Sequence, residues 1–304
     1  MDLSVVIVNW NTKDLLRGCL QSVYRTVKDI SFEVIVVDNA SQDGSVAMLK
    51  EDFPEVQVIE NDTNKGFGAA NNQALRVMQG RYALLLNTDT VLTDGAVRQL
   101  FSFLERHPDA AMACGQLLNE DGSRQNSVAA FPTLLTLLFN TSVLEYLFPA
   151  RYPSKRQDYE GPVEVESCIG ACLMVRKKTI DEVGLFDERF FFFLEETDWA
   201  FRMKKAGWKV CFIHSAAIYH FQGRSIGHGV ESRIAFYRSR YAYFRKWYKR
   251  PYYILARFLI FGRLTVDWVS MAAANIFLFG ASRKIRTRLA VYSRLVLWHL
   301  QGCP

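Results

Sequence analysis

The sequence has no cysteine framework. Its six cysteines, Cys19, Cys114, Cys168, Cys172, Cys211 and Cys303, stand apart among apolar neighbours. There is no Cys-x-x-Cys pair, and Cys168 and Cys172 have no histidine at zinc-ligand spacing. A disulfide scaffold and a structural zinc site are thereby excluded, and buried thiols in a reduced, cytosolic protein are expected. The chain opens Met1-Asp2-Leu3-Ser4, without a basic region or apolar core, so no signal peptide is expected. Internal repeats and low-complexity tracts are lacking, which excludes solenoids and linker-like segments. No Ser/His/Asp arrangement for nucleophilic catalysis is apparent, and no nucleic-acid module is present.

Acidic residues are scarce at one end. Residues 224–304 hold 15 Lys/Arg but only Glu231 and Asp267, a net charge of +13. Residues 1–223 hold 22 Lys/Arg and 29 Asp/Glu, a net charge of −7, giving +6 for the chain. A basic tail on an acidic body points to an anionic surface as partner. That tail is apolar as well, yet its longest uncharged run, Trp268–Ser282, is 15 residues. A spanning helix needs ~20. Aromatics interleaved with cations over Tyr241–Arg250 fit helices lying on an anionic membrane surface. The alternative is a helical cap on the rest of the chain or on a second subunit.

What the sequence does have is 304 residues, half of them hydrophobic, enough for one large core with an appendage. Tyr82–Leu86 is an apolar run that stops at Asn87-Thr88-Asp89-Thr90. It reads as a buried parallel strand whose carboxyl end meets solvent. Leu3–Asn9, Phe32–Val37 and Val56–Ile59 read as earlier strands, separated by helices. Alternating strands and helices imply an α/β fold with a mainly parallel sheet covered on both faces. A helix over Asp94–Arg106 and a strand over Ala111–Leu117 follow. Val163–Arg176 has strand character, Glu195–Gly207 reads as a helix, Lys209–His214 as a strand and Glu231–Tyr248 as a helix.

Ligands of such sheets sit beyond the carboxyl ends of the strands. Asp89 there is either a carboxylate for Mg²⁺ or Mn²⁺ beside a diphosphate or part of an Asp/Asn turn. Asp38 can accept hydrogen bonds from a base or ribose, or form an Asx turn and helix cap. Asn64-Lys65-Gly66-Phe67-Gly68 precedes a helix, so its backbone N–H groups can approach an anion. It lacks the third glycine of a dinucleotide fingerprint and the Gly-Lys-Ser/Thr of a nucleotide-triphosphate loop. Phe190–Phe193 leads into Glu195, Glu196 and Asp198. An aromatic wall and a second carboxylate both raise a carboxyl pKa, which tunes a general base; an acidic first helical turn is the simpler reading. Among the histidines, His220 follows strand-like residues and becomes a plausible ligand if a metal carboxylate lies near it.

Five segments in order, Val5–Asn11 (VVIVNWN), Val36–Ser45 (VVDNASQDGS), Asn64–Leu75 (NKGFGAANNQAL), Leu84–Thr90 (LLLNTDT) and Gly184–Trp208, resemble the family 2 glycosyltransferases of the GT-A fold. The resemblance covers roughly residues 3–250 and is greatest to bacterial rhamnosyltransferase-type enzymes of surface-polysaccharide assembly. It implies a catalytic domain over 1–225, with nucleotide-sugar binding in 1–118 and an acceptor and catalytic half in 119–225. The remaining residues 226–304 form a basic, aromatic-rich helical region, expected from its own composition to associate with membrane. Asn9, Asn11, Asp38, Asn64, Gly66, Asn71, Asn87, Asp89 and Gly170 would line the donor site. Asp89 and His220 would hold Mg²⁺ or Mn²⁺, although Asn87 replaces the first carboxylate of the Asp-x-Asp motif and Gln222 replaces a glycine. Glu196 would be the base, where aspartate is usual, supported by Glu195 and Asp198, with Arg202 pairing to Asp198 one helical turn on.

The implied activity is an inverting, metal-dependent transfer of a sugar from a nucleotide-diphosphate donor to a hydroxyl of a lipid-linked or polysaccharide acceptor. The subgroup suggests L-rhamnose from deoxythymidine diphosphate rhamnose; uridine diphosphate sugars stay open. The implied place is the inner face of the plasma membrane, bound peripherally, with a second copy of the chain as a further partner and no nucleic acid. The alternative is a non-catalytic nucleotide-sugar-binding scaffold subunit of a glycan-assembly complex, a reading that Asn87 permits.

Overall fold

The computed structural model describes residues 1–221, 223, 229–279 and 281–303. Contacts divide the chain into two units, Met1–Phe131 with Thr141–Ser225, and Pro132–Asn140 with Ile226–Pro304.

The chain runs β1 (Leu3–Asn9), α1 (Lys13–Thr26), β2 (Phe32–Asp38), α2 (Ser45–Asp52), β3 (Gln57–Glu60), α3 (Phe67–Val77) and β4 (Tyr82–Asn87). Then come β5 (Thr90–Leu92), α4 (Ala96–Arg106), β6 (Ala110–Leu118), β7 (Val128–Ala129), α5 (Leu134–Leu138), α6 (Thr141–Leu147), β8 (Val163–Glu164), β9 (Ser167–Cys168) and β10 (Cys172–Arg176). It closes with α7 (Lys177–Val183), α8 (Glu195–Lys205), β11 (Lys209–His220), α9 (Val230–Trp247), α10 (Arg250–Phe277) and α11 (Arg283–Leu300).

Among the described residues the first unit is built on a mixed, mostly parallel sheet ordered β3-β2-β1-β4-β10-β6-β11-β5, with β8 added against β11. β1 pairs in parallel with β2 and β4, and β6 in parallel with β11. β10 runs antiparallel between β4 and β6. The apolar runs make sense because both sheet faces are covered. Leu3, Val5 and Ile7 of β1 and Leu84 and Leu86 of β4 pack with Leu16 and Leu20 of α1 and Leu100 and Leu104 of α4. Val6, Ala83 and Leu85 point the other way, toward Ala70 and Ala74 of α3 and Trp199 and Met203 of α8. A period-two pattern with both phases apolar is the signature of a strand buried on two faces.

The structure departs from the sequence expectations where pairing partners lie far away. β5 begins one residue after Asp89 and is three residues long; it exists because it pairs antiparallel with the end of β11. β11 continues past His214 to His220. Between Ile213 and Ala217 its register against β6 slips, so His214, Ser215 and Ala216 form a bulge. Gly115 accommodates it: a Cβ there would lie 2.1 Å from the Ala216 carbonyl oxygen. Val163–Arg176 is three short strands rather than one, and α7 follows directly where no helix is expected from the sequence.

In the second unit α9, α10 and α11 share a core of Tyr241, Phe244, Ala256, Ile260, Leu264, Leu295 and Trp298, with Leu137 of α5. Polar contacts fix the 132–140 segment there. The Leu134 amide donates to the Tyr252 hydroxyl at 2.9 Å, the Tyr248 hydroxyl to the Pro132 carbonyl at 2.8 Å, and Arg263 to the Leu137 carbonyl at 3.0 Å. Among the described residues no helix is long and apolar enough to cross a membrane.

Candidate active site

The carboxyl ends of β1, β2 and β4 lie side by side, because β1 is paired on both flanks. Asn9, the last residue of β1, is fully buried and donates to Asp38 Oδ2 at 2.8 Å and Ser41 Oγ at 3.0 Å. Asp38 Oδ1 accepts from the Ser41 amide at 2.9 Å. The Asx turn is therefore real, and each Asp38 oxygen already has one protein donor. Trp10 is 48% exposed at this edge. Asn11, with φ 53°, accepts from the Gln42 amide at 2.7 Å, tying the β1 and β2 loops together. On the other flank Thr12 bridges Asn9 and Thr88, at 2.7 and 2.9 Å.

The glycine loop joins this edge through Asn39, whose side chain donates to Asn64 Oδ1 at 2.9 Å. Asn64 Oδ1 also accepts from the Gly66 amide at 2.9 Å. Gly66 has φ 85°, and a Cβ on it would lie 2.6 Å from the Phe191 carbonyl oxygen. Glycine is required here by the approach of the phenylalanine segment, which also accepts from the Phe67 amide at 2.8 Å. Asn71 is buried inside α3 and donates back to the Phe67 carbonyl at 2.9 Å. Asn9, Asp38, Asn64 and Asn71 thus hold the shape of the edge through their own hydrogen bonds.

Phe193 and Leu194 have φ 72° and 66°, left-handed values that turn the chain sharply into α8. That turn presents Glu195 and Glu196. Glu195 is buried, and its Oε2 has no hydrogen-bond partner. Burial pushes its carboxyl well above the ordinary range, and the neighbouring Glu196 charge pushes the same way. Glu196 is only partly covered and lies against Gly170, where a Cβ would sit 3.6 Å from Glu196 Cγ. Its carboxyl is also raised by burial, against opposing hydrogen bonds from its own and the Thr197 backbone and the Thr197 hydroxyl. Gly170 leads to Ala171, whose carbonyl accepts from the Asn87 amide at 3.0 Å. Glu196 is therefore linked through Gly170 and Ala171 to the Asn87–Asp89 corner. Asp198 is fully buried and ion-pairs with Arg202 at 3.0 Å, as the helical spacing implies. Arg202 in turn donates to the carbonyls of Val183, Gly184 and Leu185, so this pair fixes the loop before α8.

The Asp89–His220 corner is assembled by the unexpected β5–β11 pairing, which sets His220 opposite Thr90. His220 Nε2 comes to 3.5 Å from Asp89 Oδ1, and both residues are buried. Gln125 holds the imidazole. Its Nε2 donates to the His220 carbonyl at 2.6 Å and to Asn119 Oδ1 at 2.8 Å, so its Oε1, 2.9 Å from His220 Nδ1, accepts the Nδ1 proton. With Nδ1 donating to Gln125, Nε2 is the ring nitrogen that faces Asp89. That donor set, one oxygen and one nitrogen, suits Mg²⁺ or Mn²⁺ completed by diphosphate and water. Among the described residues no group of three or more His, Cys, Asp or Glu side chains could hold a metal. Gln125 carries no sequence signal of this role. Gln222, Arg224 and Ser225 lie outside the described residues. A separate cavity of about 600 Å³, between α4 and the β11 bulge, is lined by Arg98, Arg106 and His214 and by none of the site residues above.

The mixed, mostly parallel sheet covered by helices has the GT-A fold. S. aureus TarS is similar with a TM-score of 0.52 and 17% identity, over 73% of this chain and 37% of that one. GalNAc-T7, solved with UDP, GalNAc and Mn²⁺, gives a TM-score of 0.56 and 16% identity, over 77% of this chain and 48% of that one. The chain thus spans less than half of either solved structure. The family model described as Glycosyl transferase family 2 matches residues 4–184, and the chain belongs to that family. It is 30% identical over 272 residues to the N-acetylglucosaminyl-diphospho-decaprenol L-rhamnosyltransferase of Mycobacterium tuberculosis, covering 82% of this chain and 87% of that protein. It is 24% identical over 208 residues to the low-salt glycan biosynthesis hexosyltransferase Agl10 of Haloferax volcanii, covering 67% of this chain and 62% of that protein.

Proposed function

We propose that this enzyme is an inverting transferase that moves a sugar from a nucleotide-diphosphate donor to a hydroxyl of a lipid-linked saccharide in surface-glycan synthesis. L-Rhamnose is the favoured sugar, by similarity to the mycobacterial L-rhamnosyltransferase, and deoxythymidine diphosphate is the favoured carrier from the sequence resemblance. The observation that carries the reading is Glu196: a half-buried residue whose carboxyl pKa is raised by burial, set against Gly170 and joined through Ala171 to the Asn87–Asp89 corner.

Asn11, Trp10 and the Asp38 turn form the nucleoside side of the site. Asp89 and His220 would hold a divalent cation, and such a cation would supply positive charge to offset the negative charge on the departing nucleoside diphosphate. Glu196 takes the proton of the acceptor hydroxyl as its oxygen bonds to the anomeric carbon. The bond to the diphosphate breaks on the opposite face, so one displacement inverts the anomeric configuration. Glu195 is the more deeply buried of the two, and the Glu196 charge raises its carboxyl further, which favours Glu196 as the ionised member of the pair. The reaction takes place at the inner face of the plasma membrane, with the chain bound peripherally.

The test is turnover of a nucleotide-sugar panel with a polyprenyl-diphosphate-linked acceptor, with the product's anomeric configuration read by NMR. Glu196→Gln is expected to lower kcat at least 100-fold while nucleotide still raises the melting temperature. A retained anomer, or unchanged turnover in Glu196→Gln, overturns the mechanism. Nucleotide binding without turnover by any donor favours the scaffold reading that Asn87 suggests.

A further inference from the structure

The second unit carries a surface that water does not favour. Along α10, Ala256, Ile260 and Leu264 face its core. The outward row, Ile254, Phe258, Val266, Val269, Ile276 and Phe277, recurs at three- and four-residue spacing and is exposed, Phe258 to 69% and Phe277 to 82%. Gly262 and Ala273 fill the gaps in that row. Beyond the helix, Phe279 is 97% exposed. A 28-residue helix is about 42 Å long, so this is an extended strip rather than scattered side chains. Beside it, α11 exposes Arg283, Lys284, Arg286, Arg288 and Arg294. Asp267 is the one acidic residue in α10 and α11.

We propose that the α10–α11 hairpin docks the enzyme on an anionic phospholipid surface. The outward row of α10 and the turn at Phe277–Phe279 enter the headgroup and acyl boundary, and the α11 cations meet lipid phosphates. The inference rests on the reading that the acceptor is lipid-linked, and it names the segment that brings the enzyme to that acceptor. The helix lies along the surface, because its opposite face is committed to the core of its unit and no described helix can span. A second copy of the chain fits this face poorly. Apposed hairpins would bring two cationic rows together with a single acid on each to offset them.

The full chain is floated with vesicles of phosphatidylcholine alone and of phosphatidylcholine with 30% phosphatidylglycerol. Binding is expected only to the anionic vesicles and is expected to weaken at 0.5 M salt. The variant Phe258→Ser/Phe277→Ser/Phe279→Ser alters exposed positions only and is expected to lose at least tenfold in partition. Arg283→Glu/Lys284→Glu/Arg288→Glu is expected to do the same by charge. Both should keep wild-type turnover on a short-chain, water-soluble acceptor, a readout that reports on the transfer reaction separately. Wild-type protein that stays unbound at low salt overturns the proposal. So does a serine variant that binds as well as wild type, or one whose only change is conversion of a dimer to a monomer. Absence of turnover with intact vesicle binding would count against the transferase mechanism and leave the docking surface standing.

Discussion

At Glu195 and Glu196, two adjacent carboxylates meet different surroundings, and that difference separates their roles. Glu195 is buried with an unpartnered oxygen, while Glu196 is half-buried and lies against Gly170. Because Glu195's folded pKa is raised above its ordinary 4.5, its contribution to stability is fully present below that pH and is lost as pH rises through the folded value. Glu195→Gln is therefore expected to stabilise the protein by about 1–3 kcal/mol at pH 8 and by little at pH 4, measured by urea unfolding at the two pH values. If Glu196 is the base, as proposed, the acid limb of kcat/KM is expected to fall above the ordinary carboxylate range and to stay in place in Glu195→Gln. Gln125 is the other residue with a separable role. Gln125→Leu frees the His220 ring and its tautomer, and is expected to raise the Mn²⁺ concentration needed for half-maximal nucleotide stabilisation by roughly 10–100-fold. Thermal shift reads this without reference to turnover.

Among the elements, the loop from Asn64 to Gly68 and the segment from Phe190 to Leu194 act as one piece. The Phe67 amide bonds the Phe191 carbonyl, and Phe67 and Phe192 meet edge to face at 6.1 Å. Gly66 sits at φ 85° and ψ 167°, a region open essentially to glycine alone. Gly66→Ala adds a clash with the Phe191 carbonyl to that strain. A loss of about 2–4 kcal/mol is expected, seen as a lower urea midpoint with an unchanged slope. The apolar runs and their stopping points made β1, β2 and β4 legible to within a residue, because a strand covered on both faces is written in contiguous sequence. β5 was not legible. Three residues make no pattern of their own, and their strand character comes from residues 218–220. The aromatic run before α8 was visible, but its contact with Gly66 was not: the two positions are 125 residues apart in sequence and meet only when the α3 and α8 ends converge.

For the whole molecule, the charge boundary near residue 224 and the structural division nearly coincide, except that Pro132–Asn140 groups with the C-terminal helices. Leu137 is buried in that helical core, and the segment is held there by Tyr248, Tyr252 and Arg263. A chain ended at Ser225 strips these contacts away. Residues 132–140 are then expected to lose their order, read as amide hydrogen exchange there that is at least tenfold faster than in the full chain; exchange as slow as in the full chain would show that the segment holds its place without the helices.

The sequence by itself determined the strands β1, β2 and β4, the positions of Asp38, Asp89 and Glu196 at element ends, and the basic character of the C-terminal helices. Each follows from neighbouring residues: apolar periodicity, the polar stop of a buried strand, the acids opening a helix, a local excess of cations. Tertiary structure alone decided that His220 faces Asp89, that Gln125 sets its ring, that Gly66 yields to Phe191, and that Pro132–Asn140 belongs with the helices. Those outcomes depend on pairings across roughly 95 to 130 positions, where register, bulge and chain direction are settled by the sheet and the helical core as wholes.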